Sequence, residues 1–152
     1  MSGTTNGGAA GVEERIRAAY DAFHRRDIDA ILSYFSSDVV WVHPDGMELA
    51  GLGGAKHGHA GMREFLGRVP QVLGGMVLDP HEFLVSGDRV IVLGDREVTS
   101  REGRKETLRF VQTWTLGEDG LAVHFEDYFD TVEMFRLIDP ESVRAPIPGA
   151  AG

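Results

Sequence analysis

The chain has 152 residues, enough for one domain with a core of ordinary size but not for two. Its formal net charge of −9 argues against binding to nucleic acid or to an anionic membrane surface, since both need clustered Lys and Arg. Neutral or cationic small molecules remain possible ligands. Because the sequence contains no cysteine, disulfides, thiolate metal sites and thiol nucleophiles are excluded. A reducing cytoplasm is the default compartment.

Three segments can be separated by composition. Residues 1–11 lack the basic and apolar regions of a signal peptide, so they are predicted to form a disordered leader. Residues 145–152, rich in Pro, Gly and Ala, are predicted to be a flexible tail. Residues 12–144 then form a single domain. No apolar run approaches the length of a membrane span.

The first half of this domain has mostly helical patterns. Apolar residues at helical spacing predict an amphipathic helix from Val12 to about Arg26, and Asp27 can cap a second, shorter helix. A strand over 39–43 ends at "PDG". The glycine-rich stretch 50–61 is predicted to be a flexible loop at the mouth of a pocket, and another helix follows it with one apolar side, formed by Met62, Phe65, Leu66 and Val69.

From about residue 76 the apolar pattern changes to the period of two that is typical of strands. The predicted strands are joined by the short turns "SGD", "REG" and "GEDG", which indicate an antiparallel meander: 76–85, 89–99, 106–116 and 121–130. A last helix over 131–138 ends before Pro140. Helices followed by a meander predict an α+β fold, in which helices pack on one face of a strongly curved antiparallel sheet and leave a pocket for a small molecule.

Polar residues interrupt the apolar faces of these strands. In "LAVHFEDYFDT" (121–131) Asp127 shares a face with apolar side chains, and the same alternation places Gln112 between Phe110 and Trp114. Arg96 occupies the corresponding place in 89–99, and His43 shares the face of Val39 and Trp41. An unpaired charge in a core costs several kcal/mol on the order given for desolvated ions, so these groups either satisfy one another or line a cavity.

Both outcomes remain open at this point. As an active site, the four polar groups would converge on one concave face and act on a ligand. As a structural feature, Arg96 and Asp127 would form an ion pair bridged by Gln112, and His43 would be a satisfied core histidine.

Other motifs carry less information. "GLGGAKHG" lacks the G-x-x-x-x-G-K-[ST] spacing of a phosphate loop, and there is no G-x-S-x-G element. His57 and His59 could join His43 around a metal, but H-x-H on a glycine loop lacks a third spaced ligand. No metal and no cofactor are therefore predicted.

The segments "AAYDAFHRRDIDAILSYFSSDVVWVHPDG", "HAGMREFL", "HEFLVSGDRVIVLG", "FVQTWTLGEDGL" and "FEDYFDT" together resemble the NTF2-like superfamily, in particular its SnoaL-like, ketosteroid-isomerase-related branch. The resemblance covers about residues 12–137 and implies the cystatin-like cone of that superfamily. It does not fix the reaction, because isomerases, polyketide cyclases, dehydratases, epoxide hydrolases and non-catalytic binders share the fold.

The resemblance also implies matches between functional residues of the family and individual positions of this sequence. The aspartate base of ketosteroid isomerases falls on His43, the tyrosine of their oxyanion hole on Ala19 and their protonated acid on Gln112. The last-strand aspartate of limonene epoxide hydrolases matches Asp127, whereas their middle-strand arginine and aspartate fall on Gly94 and Arg96. In this family the other sheet face often pairs two subunits, which implies a homodimer.

The resulting hypothesis is a cofactor-independent enzyme for a small, largely apolar organic molecule, of isomerase, cyclase or dehydratase type, with an epoxide hydrolase as alternative. Asp127 would move a proton with His43 as its acid–base partner, while Arg96 and Gln112 would orient the substrate or stabilise an oxyanion. The apolar wall would be formed by Trp41, Tyr20, Phe23, Phe110, Trp114 and Phe125. A non-catalytic ligand-binding module and a dimerisation domain with a filled core are the other two possibilities.

Overall fold

The computed structural model describes residues 3–143, with side chains from residue 8 onward. Four helices are present in this range: α1 (Gly3–Arg25), α2 (Ile28–Leu32), α3 (Gly58–Val72) and α4 (Thr131–Ile138). Six strands form one sheet: β1 (Phe35–His43), β2 (Gly54–His57), β3 (Leu73–Ser86), β4 (Arg89–Ser100), β5 (Lys105–Leu116) and β6 (Ala122–Tyr128). Short 3-10 turns cover Asp45–Ala50 and Pro140–Val143.

The predicted α+β arrangement of helices on a curved sheet is confirmed, although the sheet is mixed. Its strand order is β2-β1-β6-β5-β4-β3, and the predicted meander runs through β3, β4, β5 and β6. The first strand, β1, pairs with β6 in parallel and with β2 in antiparallel orientation. Because β1 lies beside the last strand, residues that are about 80 positions apart in sequence, such as His43 and Asp127, come to lie on neighbouring strands.

Two segments differ from the sequence-based expectation. Residues 1–11 were expected to be a disordered leader, but helix α1 begins at Gly3. Once a helix exists, each residue added at its end gains one hydrogen bond, so flanking residues can join it. The glycine-rich stretch expected to be a flexible loop contains β2 and the start of α3. The expected tail, 145–152, lies outside the described residues.

Side-chain caps fix two of the helix starts. The Asp27 carboxylate accepts a hydrogen bond from the backbone N–H of Ala30 at 3.1 Å, as the sequence predicted for α2. Asp130 does the same for α4, accepting from Val132 at 2.9 Å and Glu133 at 3.2 Å. The second cap ends β6 and turns the chain immediately after Asp127 and Phe129, so α4 covers the end of the sheet where these residues lie.

The alternation of the strands is as predicted, with one exception. Leu108, Phe110, Gln112 and Trp114 of β5 are all buried. In β6, however, Val123 is exposed and Ala122 is buried, because the pairing with β5 shifts by one residue between Thr115 and Leu116. A bulge of this kind reverses the two faces locally. The predicted face is restored from Phe125, so Asp127 still points inward.

Candidate functional site

A cavity of about 440 Å³ lies between the sheet and the helices. Its lining is mainly apolar and comes from α1, α2, α3, α4 and all strands except β2. Of the residues predicted from sequence, Phe23, Trp41, His43, Arg96, Gln112, Phe125 and Asp127 line it. This open volume excludes the filled core that a pure dimerisation domain would have shown.

Three residues at the cavity wall form a polar cluster: His43, Arg96 and Asp127. The Nη2 atom of Arg96 donates to Oδ1 of Asp127 at 2.6 Å, and both side chains are only 2% exposed. The other carboxylate oxygen, Oδ2, lies 3.6 Å from Nε2 of His43. The three groups come from β4, β6 and β1, so only the folded sheet brings them together.

The Arg96 guanidinium is held by aromatic faces as well as by the carboxylate. Its central carbon lies 4.4 Å from the ring centroid of Phe129 and 5.2 Å from that of Phe110. Such cation–π contacts gain strength when the cation is desolvated. The guanidinium therefore holds the Asp127 carboxylate in place and balances its charge, while the predicted role of Arg96 in orienting a substrate stays a prediction.

The imidazole of His43 is packed between aromatic rings. It stacks on Phe65, with ring centroids 4.0 Å apart, and Trp41 meets it edge-on at 4.8 Å. Burial lowers the pKa of His43 from 6.5 to about 4, although the nearby Asp127 acts in the opposite direction. The ring is therefore neutral at neutral pH, and a neutral imidazole can both hold a proton and accept one.

Some polar atoms of this region have no hydrogen-bond partner among the described residues. They are Nδ1 of His43, Nε of Arg96 and Nε1 of Trp41, all buried. Buried polar atoms in native proteins are nearly always paired, so these three require an explanation, and the residues that carry them all line the cavity. The structural interpretation of the sequence is thus correct about the Arg96–Asp127 ion pair, but a satisfied core histidine is not what the structure shows.

Three predicted wall residues lie behind the cavity instead of lining it. Tyr20, Phe110 and Trp114, together with Phe35, form an aromatic layer in which Tyr20 lies 5.9 Å from Trp114 and 6.4 Å from Phe110. These large rings pack between α1 and β5, and none of them is among the lining residues. Their role as wall residues is therefore corrected.

The aromatic layer also contains the partner of Gln112. The Tyr20 hydroxyl lies 2.5 Å from Oε1 of Gln112, and Nε1 of Trp114 donates to the same hydroxyl at 3.3 Å. The predicted bridge from Gln112 to the ion pair is not formed. Tyr20 is 92 positions from Gln112 and 94 positions from Trp114 in sequence, and only the packing of α1 on β5 brings these residues together.

Several lining residues were not predicted. Phe65, Leu66 and Val69 carry the expected helical spacing, but sequence could not show that this side of α3 faces a cavity. Other lining residues were not singled out from the sequence: Met47 and Leu52 between β1 and β2, Leu73 and Met76 near the start of β3, Phe129 just after β6, and Met134 in α4. The cavity edge also includes two exposed arginines, Arg26 and Arg101, and Arg101 donates to the carbonyls of Pro70 and Gln71 at 3.0 and 3.2 Å.

The remaining motifs do not join the cluster. His59 contacts the carbonyl of Phe35 at 2.8 Å, and neither His57 nor His59 lines the cavity. Within residues 3–143 no group of three or more His, Asp or Glu side chains is arranged to hold a metal ion. In the same range, no helix has the length and apolar content needed to cross a membrane.

Comparison with known proteins identifies the family. The model of the SnoaL-like domain matches residues 16–125, and the chain belongs to this family, within the NTF2-like fold. No curated protein matches the chain.

Solved structures of similar proteins agree with this assignment. TerC, co-crystallized with polyporic acid, is 55% identical over 84% of this chain and 98% of its own, with a TM-score of 0.82. An NTF2-like protein of unknown function from Burkholderia pseudomallei K96243 is 49% identical, over 84% and 97% of the two chains, with the same TM-score. A SnoaL-like protein from Jannaschia sp. CCS1, 13% identical over 91% of this chain and 95% of its own with a TM-score of 0.72, shares the fold.

Proposed function

We propose that the protein is an enzyme that transfers protons on a small organic molecule bound in the cavity and needs no cofactor for this step. The observation that carries the proposal is the polar cluster: Asp127, positioned by Arg96 at 2.6 Å, faces a neutral His43 at the wall of a 440 Å³ cavity. A preorganised carboxylate beside a neutral imidazole is the equipment of general acid–base catalysis.

Each member of the site has a distinct task in this proposal. Asp127 takes a proton from a C–H or O–H group of the ligand, and the electron pair of that bond moves toward a neighbouring carbonyl oxygen. Gln112 stabilises the charge on that oxygen, and Asp127 or His43 returns the proton at another atom. Nothing is oxidised or reduced. Returning the proton to another carbon completes an isomerisation. In a dehydration the electron pair instead expels a hydroxyl group from the neighbouring carbon, and His43 or Asp127 gives that group the proton with which it leaves as water. In a cyclisation the carbon attacks a second carbonyl of the same molecule, whose oxygen takes the proton.

The ligand is proposed to be an acidic, mainly apolar molecule. TerC was co-crystallized with polyporic acid and is 55% identical to this chain, so polyporic acid is the first compound to test. The charges of the cavity agree: among the described lining residues Asp127 is the only acid, whereas Arg26 and Arg101 stand at the edge besides the paired Arg96. An anionic group on the ligand would be attracted to that edge.

Two alternatives are less well supported. The position of an epoxide hydrolase aspartate on β4 is occupied by Arg96, which pairs with Asp127 in place of activating water. A binding module without chemistry has one observation in its favour, because the Arg96–Asp127 pair alone would be compatible with a structural role. The same cavity would then hold the ligand unchanged.

We also propose that two copies of the chain pair through the outer face of the sheet, and that the protein works in the cytoplasm. Leu84 and Ile91 are direct neighbours on β3 and β4, and both are exposed, by 48% and 37%. Exposed apolar side chains that lie together on a sheet face are a common sign of an interface. A second copy, with the same apolar patch, is the occupant that this face fits.

Incubation in D2O with polyporic acid, and separately with cyclic ketones that carry a C–H group next to the carbonyl, tests the proposed activity. Proton transfer to carbon predicts a product that carries deuterium, detected by mass spectrometry, and Asp127→Asn should abolish it. Ala9→Ser, an exposed change on α1 far from the cavity lining, is a control that should leave it unaffected. Tight binding of polyporic acid by the wild type, with no deuterium incorporated into the ketones, would contradict the enzyme and favour the binding module.

A further inference from the structure

Three buried side chains form a hydrogen-bonded chain that ends at the cavity. Trp114 donates from Nε1 to the hydroxyl oxygen of Tyr20 at 3.3 Å, and that hydroxyl lies 2.5 Å from Oε1 of Gln112. Trp114, Tyr20 and Gln112 are 0%, 1% and 3% exposed. Only Gln112 of the three lines the cavity.

The chemistry of these three groups fixes which of them donates and which accepts in each hydrogen bond. An indole N–H can only donate, so the Tyr20 oxygen must accept from Trp114. Burial raises the pKa of Tyr20, which therefore keeps its proton, and this proton needs an acceptor. Oε1 of Gln112 is the acceptor within hydrogen-bond distance. The Nε2 atom, with its two N–H groups, then faces away from Tyr20.

Gln112 and Asp127 occupy opposite positions on two paired strands. They are direct partners in the register of β5 and β6, which places their Cβ atoms about 4.5–5.5 Å apart on one face. Asp127 offers a carboxylate acceptor, and Gln112 offers an N–H donor beside it. A donor and an acceptor at this spacing match a molecule that has the complementary pair on neighbouring atoms.

We infer that Trp114 and Tyr20 are positioning residues that lock the Gln112 amide as a donor, and that the site selects a molecule whose carbonyl or enolate oxygen neighbours its acidic proton. This inference rests on the proposed function. When Asp127 removes the proton, negative charge collects on that oxygen, where a fixed N–H donor stabilises it. A reversed amide would place Oε1 against the same charge and repel it.

Neutron diffraction from a crystal of the full chain, exchanged into D2O, tests the orientation without any ligand. The expected map has one deuteron between the Tyr20 hydroxyl and Gln112, and both Nε2 deuterons on the cavity side. Deuterons on the Gln112 atom that faces Tyr20 would overturn the inference.

Binding of polyporic acid to Gln112 variants tests the donor in solution. Gln112→Met removes both polar atoms and should weaken binding about tenfold, the value of one hydrogen bond. Gln112→Glu still accepts from Tyr20, but it can donate only while its carboxyl keeps a proton, and burial beside Asp127 raises the pKa of that carboxyl. The affinity of this variant relative to wild type should therefore be highest at low pH and fall as the pH rises and the carboxyl ionises.

The outcomes separate a positioning role from a structural one. Gln112→Met should show no such dependence on pH, and Tyr34→Phe, on a partly buried tyrosine outside the cavity lining, should bind like wild type. Equal affinities of wild type and Gln112→Met, or a Gln112→Glu ratio independent of pH, would overturn the inference. A wild type that fails to bind polyporic acid contradicts the proposed ligand, and the neutron map then decides the orientation by itself.

Discussion

The polar cluster and the aromatic layer both place polar atoms inside the core, but only one of them leaves such atoms unpaired. In the aromatic layer, the indole of Trp114 and the hydroxyl of Tyr20 are joined in one chain of hydrogen bonds. In the polar cluster, Nδ1 of His43 and Nε of Arg96 have no partner among the described residues. The difference separates two kinds of buried polar residue: those whose hydrogen bonds the fold completes, and those whose polar atoms have no partner among the described residues although the residue itself lines the cavity.

The largest effect is expected when the Arg96–Asp127 pair is broken. Asp127→Asn removes the base and should lower turnover of the substrate by about 100-fold or more, the scale of general acid–base catalysis. It also leaves Arg96 buried without a counter-charge, which should lower the free energy of unfolding by up to about 3–5 kcal/mol. Urea titrations and initial rates measure the two effects on the same preparations.

A double variant separates stability from catalysis. Arg96→Met combined with Asp127→Leu removes both charges, so it should recover most of the lost stability but none of the activity. Asp29→Asn is a matched control, since Asp29 pairs with Arg63 at 2.7 Å on the surface, where ion pairs contribute below about 1 kcal/mol. Full activity in the double variant would contradict the catalytic role of Asp127.

The second prediction concerns the pH dependence contributed by His43. Its pKa is about 4 in the folded chain and 6.5 when exposed, so between these values the unfolded state binds more protons. The contribution of His43 to the free energy of unfolding is therefore fully present above pH 6.5. It is lost as the pH falls toward 4, by about 3 kcal/mol in all. His43→Gln should remove this part of the pH dependence.

Urea titrations at about pH 7.5 and about pH 5 measure how much stability the wild type and His43→Gln each lose on acidification; the wild type should lose more. Besides Asp127 and Arg96, Lys56 is a charged group that influences His43, and all three are unchanged in the variant. His81→Gln, on an exposed histidine beside Asp79, is the control and should retain the wild-type slope. An identical loss of stability in wild type and His43→Gln would show that His43 is not buried in its neutral form.

The third prediction addresses the aromatic layer. Tyr20→Phe keeps the ring but leaves Nε1 of Trp114 and Oε1 of Gln112 buried without a partner, so it should cost about 1–3 kcal/mol of stability. Tyr34→Phe should change stability by less than about 0.5 kcal/mol, because no side-chain hydrogen bond of Tyr34 is among those described. Thermal melts of both variants are sufficient; equal melting temperatures would contradict the hydrogen-bonded chain.

Sequence periodicity could predict which side chains point inward, but not which of them meet. The alternation along β1, β4, β5 and β6 places His43, Arg96, Gln112 and Asp127 inside, and all four are buried. Their partners depend on strand order: β1 lies beside β6 in parallel, a pairing that no local turn signal reveals. For the same reason Tyr20 could be recognised as a core residue but not as the partner of Gln112.

The turns and the empty volume are the other features that sequence could not supply. The bulge that exposes Val123 arises from pairing with β5, and Met47 and Leu52 line the cavity from a stretch without periodicity. Whether large aromatic side chains fill the space between the curved sheet and the helices, or leave a cavity there, depends on how several elements pack together. Tyr20, Phe110 and Trp114 fill their part of the core, whereas Trp41 and Phe125 border open space.

The smallest effect on folding and activity is expected on the outer face of the sheet, which has no polar cluster to disturb. Ile91→Lys changes an exposed side chain, so the fold and the cavity should be unaffected. If two copies pair through Leu84 and Ile91, the lysine would be buried in the interface without a partner and should break the dimer. Light scattering should then give a mass near 16.6 kDa for the variant and twice that mass for wild type. Leu49→Lys, on a residue that is 79% exposed outside the sheet, should leave the dimer intact. A wild type that is already a monomer at micromolar concentration would contradict the proposed pairing and leave the apolar patch to another partner.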